Sequence, residues 1–578
     1  MLPEQPETSV VSPKPAWRQW LGNPWLQAGL LAFVMFLGGL YYQFAPGLVD
    51  TPEGSRWHAR AVGLSDCDGY FHTKMGWLYG TGEVQAAGAD FHWTRHTIWN
   101  GDFSDKDFLF HLYLTPFTHA LADGPGDVEG LILAGKLGIA TLIALVALTL
   151  FGCLRLLKTP HAWAYTLCMA AVGGSYIVFR LNMCRSYVAS MALALAGWVA
   201  LARRHRAGAL LLAAVYTLTY TASHLLLAMQ VARTLVDLVL GGRNGVTRRA
   251  ELKANGWMLA AVAGGILLGC AIHPQPLETL NHWWVQNVVV LAYSHKTTLA
   301  PVVDSIMEIV GSSTRIAVGA ELQLGRELEP PSAYSLAMST PVIFFAPMVL
   351  PLVALLLGAK PSRETLQAGA VAVCWELAYA MNQRFIEYAT PFMVLAIGLW
   401  ITEIMACPAW LAWRERRPVV SRALPAALAG IGLVASAVIW VGAAIAYRAT
   451  NRGTVEMAGR WLHEHSEAHG KAVFHCRWDD FPYLFFYASE CDYLNGLDPT
   501  FMLVKDPQKY ELWYDLSRGR RAELLEHARD DFGCDYILYR RSSSEYSYSR
   551  LADEARAGRL RICIRAADDE WTLYQIVR

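Results

Sequence analysis

Residues 131–154 read LILAGKLGIATLIALVALTLFGCL and stop at Arg155 and Lys158. A helix over this run crosses a hydrocarbon core of ~30 Å. Working outward, comparable apolar runs fall at 25–44, 163–179, 187–201, 207–222, 225–240, 257–272, 340–358, 366–381, 390–405 and 425–447. With the quoted run this gives eleven candidate spans. The chain of 578 residues is 54% hydrophobic and 17% charged, with a mean hydropathy of +0.25, a balance that fits an integral membrane protein. Its formal net charge of +0 supplies no basic excess for nucleic acid.

The positions of the charges set the expected sidedness. Arg155/Lys158, Arg203/Arg204/Arg206, Arg243/Arg248/Arg249/Lys253, Lys360/Arg363 and Arg414/Arg416/Arg417 occupy alternate loops, on the side of a leader (1–24) that carries Lys14 and Arg18. Excess Lys and Arg mark the cytoplasmic side. The loop 45–130, the connection 180–186, His224, the segment 273–339 and the connection 382–388 then share the opposite face. Within 273–339 the aromatic stretch 283–293 reads as a helix lying on the membrane or as a re-entrant element.

From about residue 450 the apolar runs end. Expected helices at 454–465, 506–517, 521–532 and 546–557 interleave with expected strands at 472–476, 536–539, 560–565 and 571–576. That alternation describes a small α/β domain at 450–578, joined to a transmembrane domain at 25–449. The fold class is a polytopic α-helical membrane protein with a C-terminal extracytoplasmic α/β domain. The 11 cysteines contain no CxxC pair; Cys476 and Cys491 are placed to pair if their domain lies outside the cell.

Candidate chemistry gathers on the external side. Asp66 and Asp68, one residue apart, can share a divalent cation or polarise a substrate group; Asp68 also suits a plain helix cap before 70–79. Arg384, at the outer end of a span, offers a fork of donors that matches phosphate oxygens, or an ion pair with Glu387 or Glu376. Val318-Gly319-Ala320-Glu321 lets a flexible loop swing a carboxylate over a site, and Gly325-Arg326-Glu327 follows it. Trp478-Asp479-Asp480 follows an expected strand, where α/β domains hold ligands; the bland reading is a turn closed by Pro482. His72, His92, His96 and His111 lack tight ligand spacing, which argues against a histidine metal site.

As an ordered set these features resemble the GT-C membrane glycosyltransferases, most closely the catalytic subunits of oligosaccharyltransferases and their bacterial and archaeal single-chain relatives. Asp68-Gly69-Tyr70 resembles the acidic motif of the first external loop, and Val318-Gly319-Ala320-Glu321 is similar to the motif of the mobile fifth loop. Arg384 resembles the arginine that holds the donor diphosphate, and Trp478-Asp479-Asp480 resembles a Trp-Trp-Asp acceptor motif with one Trp lost. The chain departs from the pattern at 180–185, which carries Arg180 and Arg185 and no acid.

The resemblance implies an inverting glycosyltransferase that moves a sugar or oligosaccharide from a polyprenyl-phosphate or diphosphate carrier to a protein or glycan acceptor. It acts at the outer face of a membrane, the bacterial cytoplasmic one. The implied roles are catalysis for Asp68, Asp66 and Glu321, donor phosphate binding for Arg384, Arg185 and Arg180, and acceptor binding for Trp478, Asp479 and Asp480. Asp68 and Asp66 are the implied ligands of a divalent cation, Mg or Mn. A transporter or flippase of a lipid-linked glycan is the alternative expectation.

Overall fold

The computed structural model describes residues 23–45, 47–51, 54–58, 62–85, 91–241, 247–290, 326–447 and 454–578. The motif 318–321, with Glu321, lies outside them. Helix α1 (Pro24–Phe44) starts with proline at its first position, and Asn23 caps the Trp25 amide at 2.9 Å. A hairpin of β1 (Gly47–Thr51) and β2 (Gly54–His58) follows, then α2 (Cys67–Thr81) and α3 (Phe108–Leu121). These two helices stand in the first large polar loop. They approach closely: a Cβ on Gly76 would lie 2.8 Å from that of Leu114.

The apolar runs become α4 (Val128–Leu156), α5 (Ala162–Leu167), α6 (Met169–Leu181), α7 (Ser186–Ala202), α8 (Arg206–Thr219), α9 (Leu225–Leu240) and α10 (Arg248–Ile272). After α11 (Pro276–Trp284) come α12 (Pro341–Leu356), α13 (Arg363–Met381), α14 (Ile386–Ala406), α15 (Pro408–Arg416) and α16 (Pro418–Ala446). Among the described residues seven helical segments are long and apolar enough to cross a membrane: Pro24–Phe44, Val128–Leu156, Ala162–Leu181, Thr221–Leu240, Arg248–Ile272, Gln383–Ala406 and Pro418–Ala446. Three more, Ser186–Ala202, Arg206–Thr219 and Pro341–Leu356, are apolar but shorter. Val239 and Leu355 point outward, 84% and 75% exposed, as expected of side chains solvated by lipid. Gly174 breaks the α6 segment at φ +71°, a conformation that suits glycine, where the chain runs against the Ser339 carbonyl.

The C-terminal domain comprises α17 (Glu456–Glu464), β3 (Ala472–His475), α18 (Phe481–Tyr487), β4 (Asp492–Tyr493), α19 (Thr500–Lys505), α20 (Pro507–Ser517), α21 (Leu524–Asp530), β5 (Tyr536–Arg540), α22 (Glu545–Arg556), β6 (Leu560–Arg565) and β7 (Trp571–Ile576). Its sheet runs β4-β3-β5-β7-β6, with β4, β3 and β5 parallel and β7 antiparallel to both neighbours. The β4 edge is covered by the first loop. Tyr493 donates its amide to the Trp93 carbonyl at 2.7 Å, and the amides of Arg95 and His96 return to Tyr493 and Leu494 at 2.9 and 3.1 Å. Beneath this edge Phe71, Phe91 and Trp99 pack with Phe481 and Phe485 in one buried aromatic cluster. Each such ring contributes ~1.5–3 kcal/mol on burial, so the loop and the domain are held together by apolar packing.

Three expectations change. Pro482 does not close a turn: it occupies the first turn of α18, where its missing amide costs nothing. Of the stretch 283–293, the described part to residue 290 packs against protein, which neither expectation for it included. Val285 joins the aromatic cluster and Val289 the core of the C-terminal domain, so this segment lies beneath that domain. Cys476 and Cys491 are free thiols, near the Ser543 hydroxyl and the Ala468 carbonyl respectively, each at 3.3 Å.

Candidate active site

A cavity of about 400 Å³ opens between α2, the α6–α7 connection, the turn before α14, the segment at Glu327 and the C-terminal domain. Asp68, Arg180, Arg185, Arg384 and Trp478 all reach it. One wall is charged. Another is formed by Phe179, Leu225, Val290 and Leu328.

Asp66 stands at the N-cap position of α2 but makes no capping bond with its side chain. Both acids turn to Arg185: its Nε donates to Asp66 Oδ2 at 2.5 Å, and its Nη1 lies 3.1 Å from Asp68 Oδ2. The helix N-terminus adds a favourable field for these two carboxylates. Burial nonetheless pushes the Asp66 carboxyl upward, with Arg185 opposing it.

Arg180, 1% exposed near the end of its helix, pairs with Glu387 through Nε at 2.8 Å and through Nη2, and with Glu327 through Nη1. Glu327 also lies 3.5 Å from Arg185 Nη1 and 3.6 Å from Arg384 Nη2. Burial would raise the Glu327 carboxyl, but Arg180, Arg384 and Arg185 together hold it well below the usual carboxylate range. Arg384 is the least committed guanidinium of the three. Its buried Nε has no hydrogen-bond partner, whereas the Arg384 backbone amide is fixed by Asn382 Oδ1 at 2.9 Å. The expected pairing of Arg384 with Glu387 is replaced by that of Arg180 with Glu387.

A cation shared by Asp66 and Asp68 fits this arrangement poorly. Asp66 Oδ1 is buried without a partner, but Arg185 already bridges the Oδ2 atoms of the two acids and brings a positive charge to the place a metal would take. The acceptor motif divides. Trp478 lines the cavity, Asp479 is bound by Arg477 at 2.6 and 2.9 Å, and Asp480, 1% exposed, pairs with Arg540 of β5. Asp480 therefore braces the domain.

Sequence reasoning gave no role at the site to several other groups. Lys106, Glu327 and Asp498 line the cavity, as does His72. Behind His72, its Nδ1 faces His111 Nε2 at 2.7 Å, and His111 Nδ1 meets Asp105 Oδ2 at 2.6 Å. Burial and the neighbouring His111 push the His72 imidazole well below its usual value. Burial would raise the Asp105 carboxyl, but His111, Tyr79 and the Asp107 amide hold it below its usual value. His72, His111 and Asp107 bring one potential ligand atom each to within 4.8 Å of one another. The expectation against a histidine metal site rested on spacing along the chain, and here the residues meet across two helices.

No protein-family model matches this sequence, and no curated protein matches it. Solved structures do. The apo oligosaccharyltransferase of Archaeoglobus fulgidus superposes with a TM-score of 0.60 at 11% identity, over 92% of this chain and 71% of that one. The same enzyme with Zn and sulfate gives 0.56 at 10%, over 90% and 69%. The archaeal oligosaccharyltransferase AglB of that organism, in complex with an inhibitory peptide and a dolichol-phosphate, gives 0.57 at 10%, over 98% and 75%. In fold, the chain is similar over 90% or more of its length to the archaeal oligosaccharyltransferase, a GT-C membrane glycosyltransferase.

Proposed function

We propose that this protein is a membrane glycosyltransferase that moves a sugar or oligosaccharide from a polyprenyl-phosphate or diphosphate carrier to an acceptor at the extracytoplasmic face. The observation that carries the reading is Arg384, which lines a cavity charged on one wall and apolar on another and whose buried Nε has no hydrogen-bond partner. Such a cavity suits a donor whose phosphate sits at the membrane interface and whose chain lies in lipid. The dolichol-phosphate and peptide bound by the archaeal relative support the same donor and acceptor classes.

In the proposed reaction the acceptor attacks the anomeric carbon on the face opposite the carrier. Its proton passes to Asp68. The carbon–oxygen bond to the phosphate breaks, and the oxygen leaves with the electron pair. Arg384, aided by Lys106, Arg180 and Arg185 on the same cavity, meets the charge as it develops. Trp478 forms an acceptor wall. Arg185 supplies the positive charge beside Asp66 and Asp68.

The test is purified protein with a labelled lipid-linked glycan and a mixture of peptide and glycolipid acceptors. Transfer that falls to background in Arg384→Ala and Asp68→Asn, both inserted normally, is expected. Full transfer by both variants overturns the assignment, as does a wild-type protein that carries the lipid across vesicles without cleaving it.

A further inference from the structure

Among the described residues, a cluster of ligating side chains lies behind the cavity, at the crossing of α2 and α3. His72 comes one turn before Gly76, where the two helices touch, and Asp107 and His111 are four residues apart at the start of α3. All three are buried. Asp107 is 1% exposed, and the hydrogen bond its carboxylate receives comes from the Ser186 hydroxyl at 2.5 Å. Asp105, a second buried carboxylate, accepts from His111 Nδ1, from the Tyr79 hydroxyl at 2.8 Å and from the Asp107 amide at 3.0 Å. Asp105 accepts three hydrogen bonds, and Asp107 accepts one.

We propose that His72, Asp107 and His111 hold a zinc ion that pins α2, and with it Asp66 and Asp68, against α3. Two buried carboxylates, Asp105 and Asp107, stand beside the two imidazoles, a set of groups that a divalent ion complements. A hydrogen-bonded pair of histidines alone leaves the Asp107 carboxylate deep in the protein with the Ser186 hydroxyl as its hydrogen-bond donor. The bond from His111 Nδ1 to Asp105 turns the Nε2 lone pair toward His72 and Asp107, the carboxylate–histidine support that metal-ligating imidazoles use.

The donor set selects the metal. Two nitrogens and one oxygen suit Zn, with a fourth position left for water, whereas Mg and Ca prefer oxygen cages. The His72 and His111 nitrogens stand 2.7 Å apart, so ligation requires them to part by roughly half an ångström to span a tetrahedral edge. This ion is separate from one at Asp66 and Asp68, where Arg185 stands. It also stands independently of the transferase reading.

The experiment uses the full chain, purified without a histidine tag, dialysed against micromolar Zn, and its metal counted by mass spectrometry. About one zinc per chain is expected, falling at least fivefold in Asp107→Asn and in His111→Gln and staying whole in Asp68→Asn. A second measurement needs no variant: the chelated wild-type protein with Co added is expected to show the visible absorption of tetrahedral nitrogen–oxygen ligation. Wild-type protein that binds neither metal overturns the site. So does zinc that survives both Asp107→Asn and His111→Gln, or zinc lost in Asp68→Asn.

Discussion

Arg185 Nε and Asp66 Oδ2 meet at 2.5 Å across a sequence separation of 119 residues. The two side chains are 12% and 6% exposed, so removing one leaves the other as a buried charge. Arg185→Ala is expected to cost ~3–5 kcal/mol, seen as a lower unfolding midpoint in detergent. Arg185→Met combined with Asp66→Asn should recover a large part of that loss. A double-mutant cycle with no coupling between the two positions would contradict the bridge.

Arg384 behaves differently, because its guanidinium is held by little else: Glu327 stands 3.6 Å away and the Nε is unpartnered. Arg384→Ala should leave the unfolding midpoint within a degree or two and lower the rate of glycan transfer by roughly 10²–10³-fold. Arg384→Lys restores a point charge without the planar fork and is expected to recover only part of the rate. The comparison is made on kcat with saturating donor.

Glu327 gives a signed pH dependence. Its carboxyl is held below the ordinary value of 4.5, so its contribution is complete above that value and is lost as pH falls through the lower, folded one. Wild-type protein should therefore exceed Glu327→Gln in stability by a constant margin from about pH 6 to 8, and the margin should shrink below about pH 4. Paired unfolding curves over this range measure it. A margin that grows on acidification contradicts the arginine cluster.

The apolar runs and the alternating C-terminal pattern were legible because bilayer thickness and strand period impose lengths that survive in a single sequence. The cavity was legible in part. Asp68, Arg180, Arg185, Arg384 and Trp478 reach it, each singled out as an acid, a cation or an aromatic at a loop or helix end. Sequence reasoning weighed Glu321 above Glu327, yet the carboxylate that ties the three arginines together is Glu327, since a short 3-10 turn at Arg326–Leu328 sets it among them. Asp480 looked like a binding group until Arg540 supplied its partner from a strand 60 residues later. His72 and His111 are 39 residues apart and on different helices. Their meeting depends on how α2 packs on α3, which no local spacing encodes.

The contact between the first loop and the β4 edge carries the last prediction. Asp492 lies at the seam: Arg95 donates to its Oδ2 through Nε at 2.9 Å and Nη2 at 2.6 Å, and His92 Nδ1 stands 2.9 Å from its Oδ1. The forked arginine bond orders Arg95 and His96 so that their amides reach Tyr493 and Leu494. Asp492→Asn keeps the shape and removes the charge, at an expected cost of ~1–3 kcal/mol to the docked loop. The aromatic cluster below should hold the domain in place. Hydrogen exchange is the measurement: in the variant the amides of Arg95, His96 and Tyr493 should exchange about 10–100-fold faster, while those of Val473 and Ile537 in the centre of the sheet stay protected. Acid should act the same way. The Asp492 carboxyl is also held below its usual range, with His92 and Arg95 outweighing its burial, so the docking persists through neutral pH and weakens only as pH falls through that lowered value. Protection at Arg95 and His96 that is unchanged in Asp492→Asn would mean that the backbone ladder and the aromatic cluster alone hold the loop.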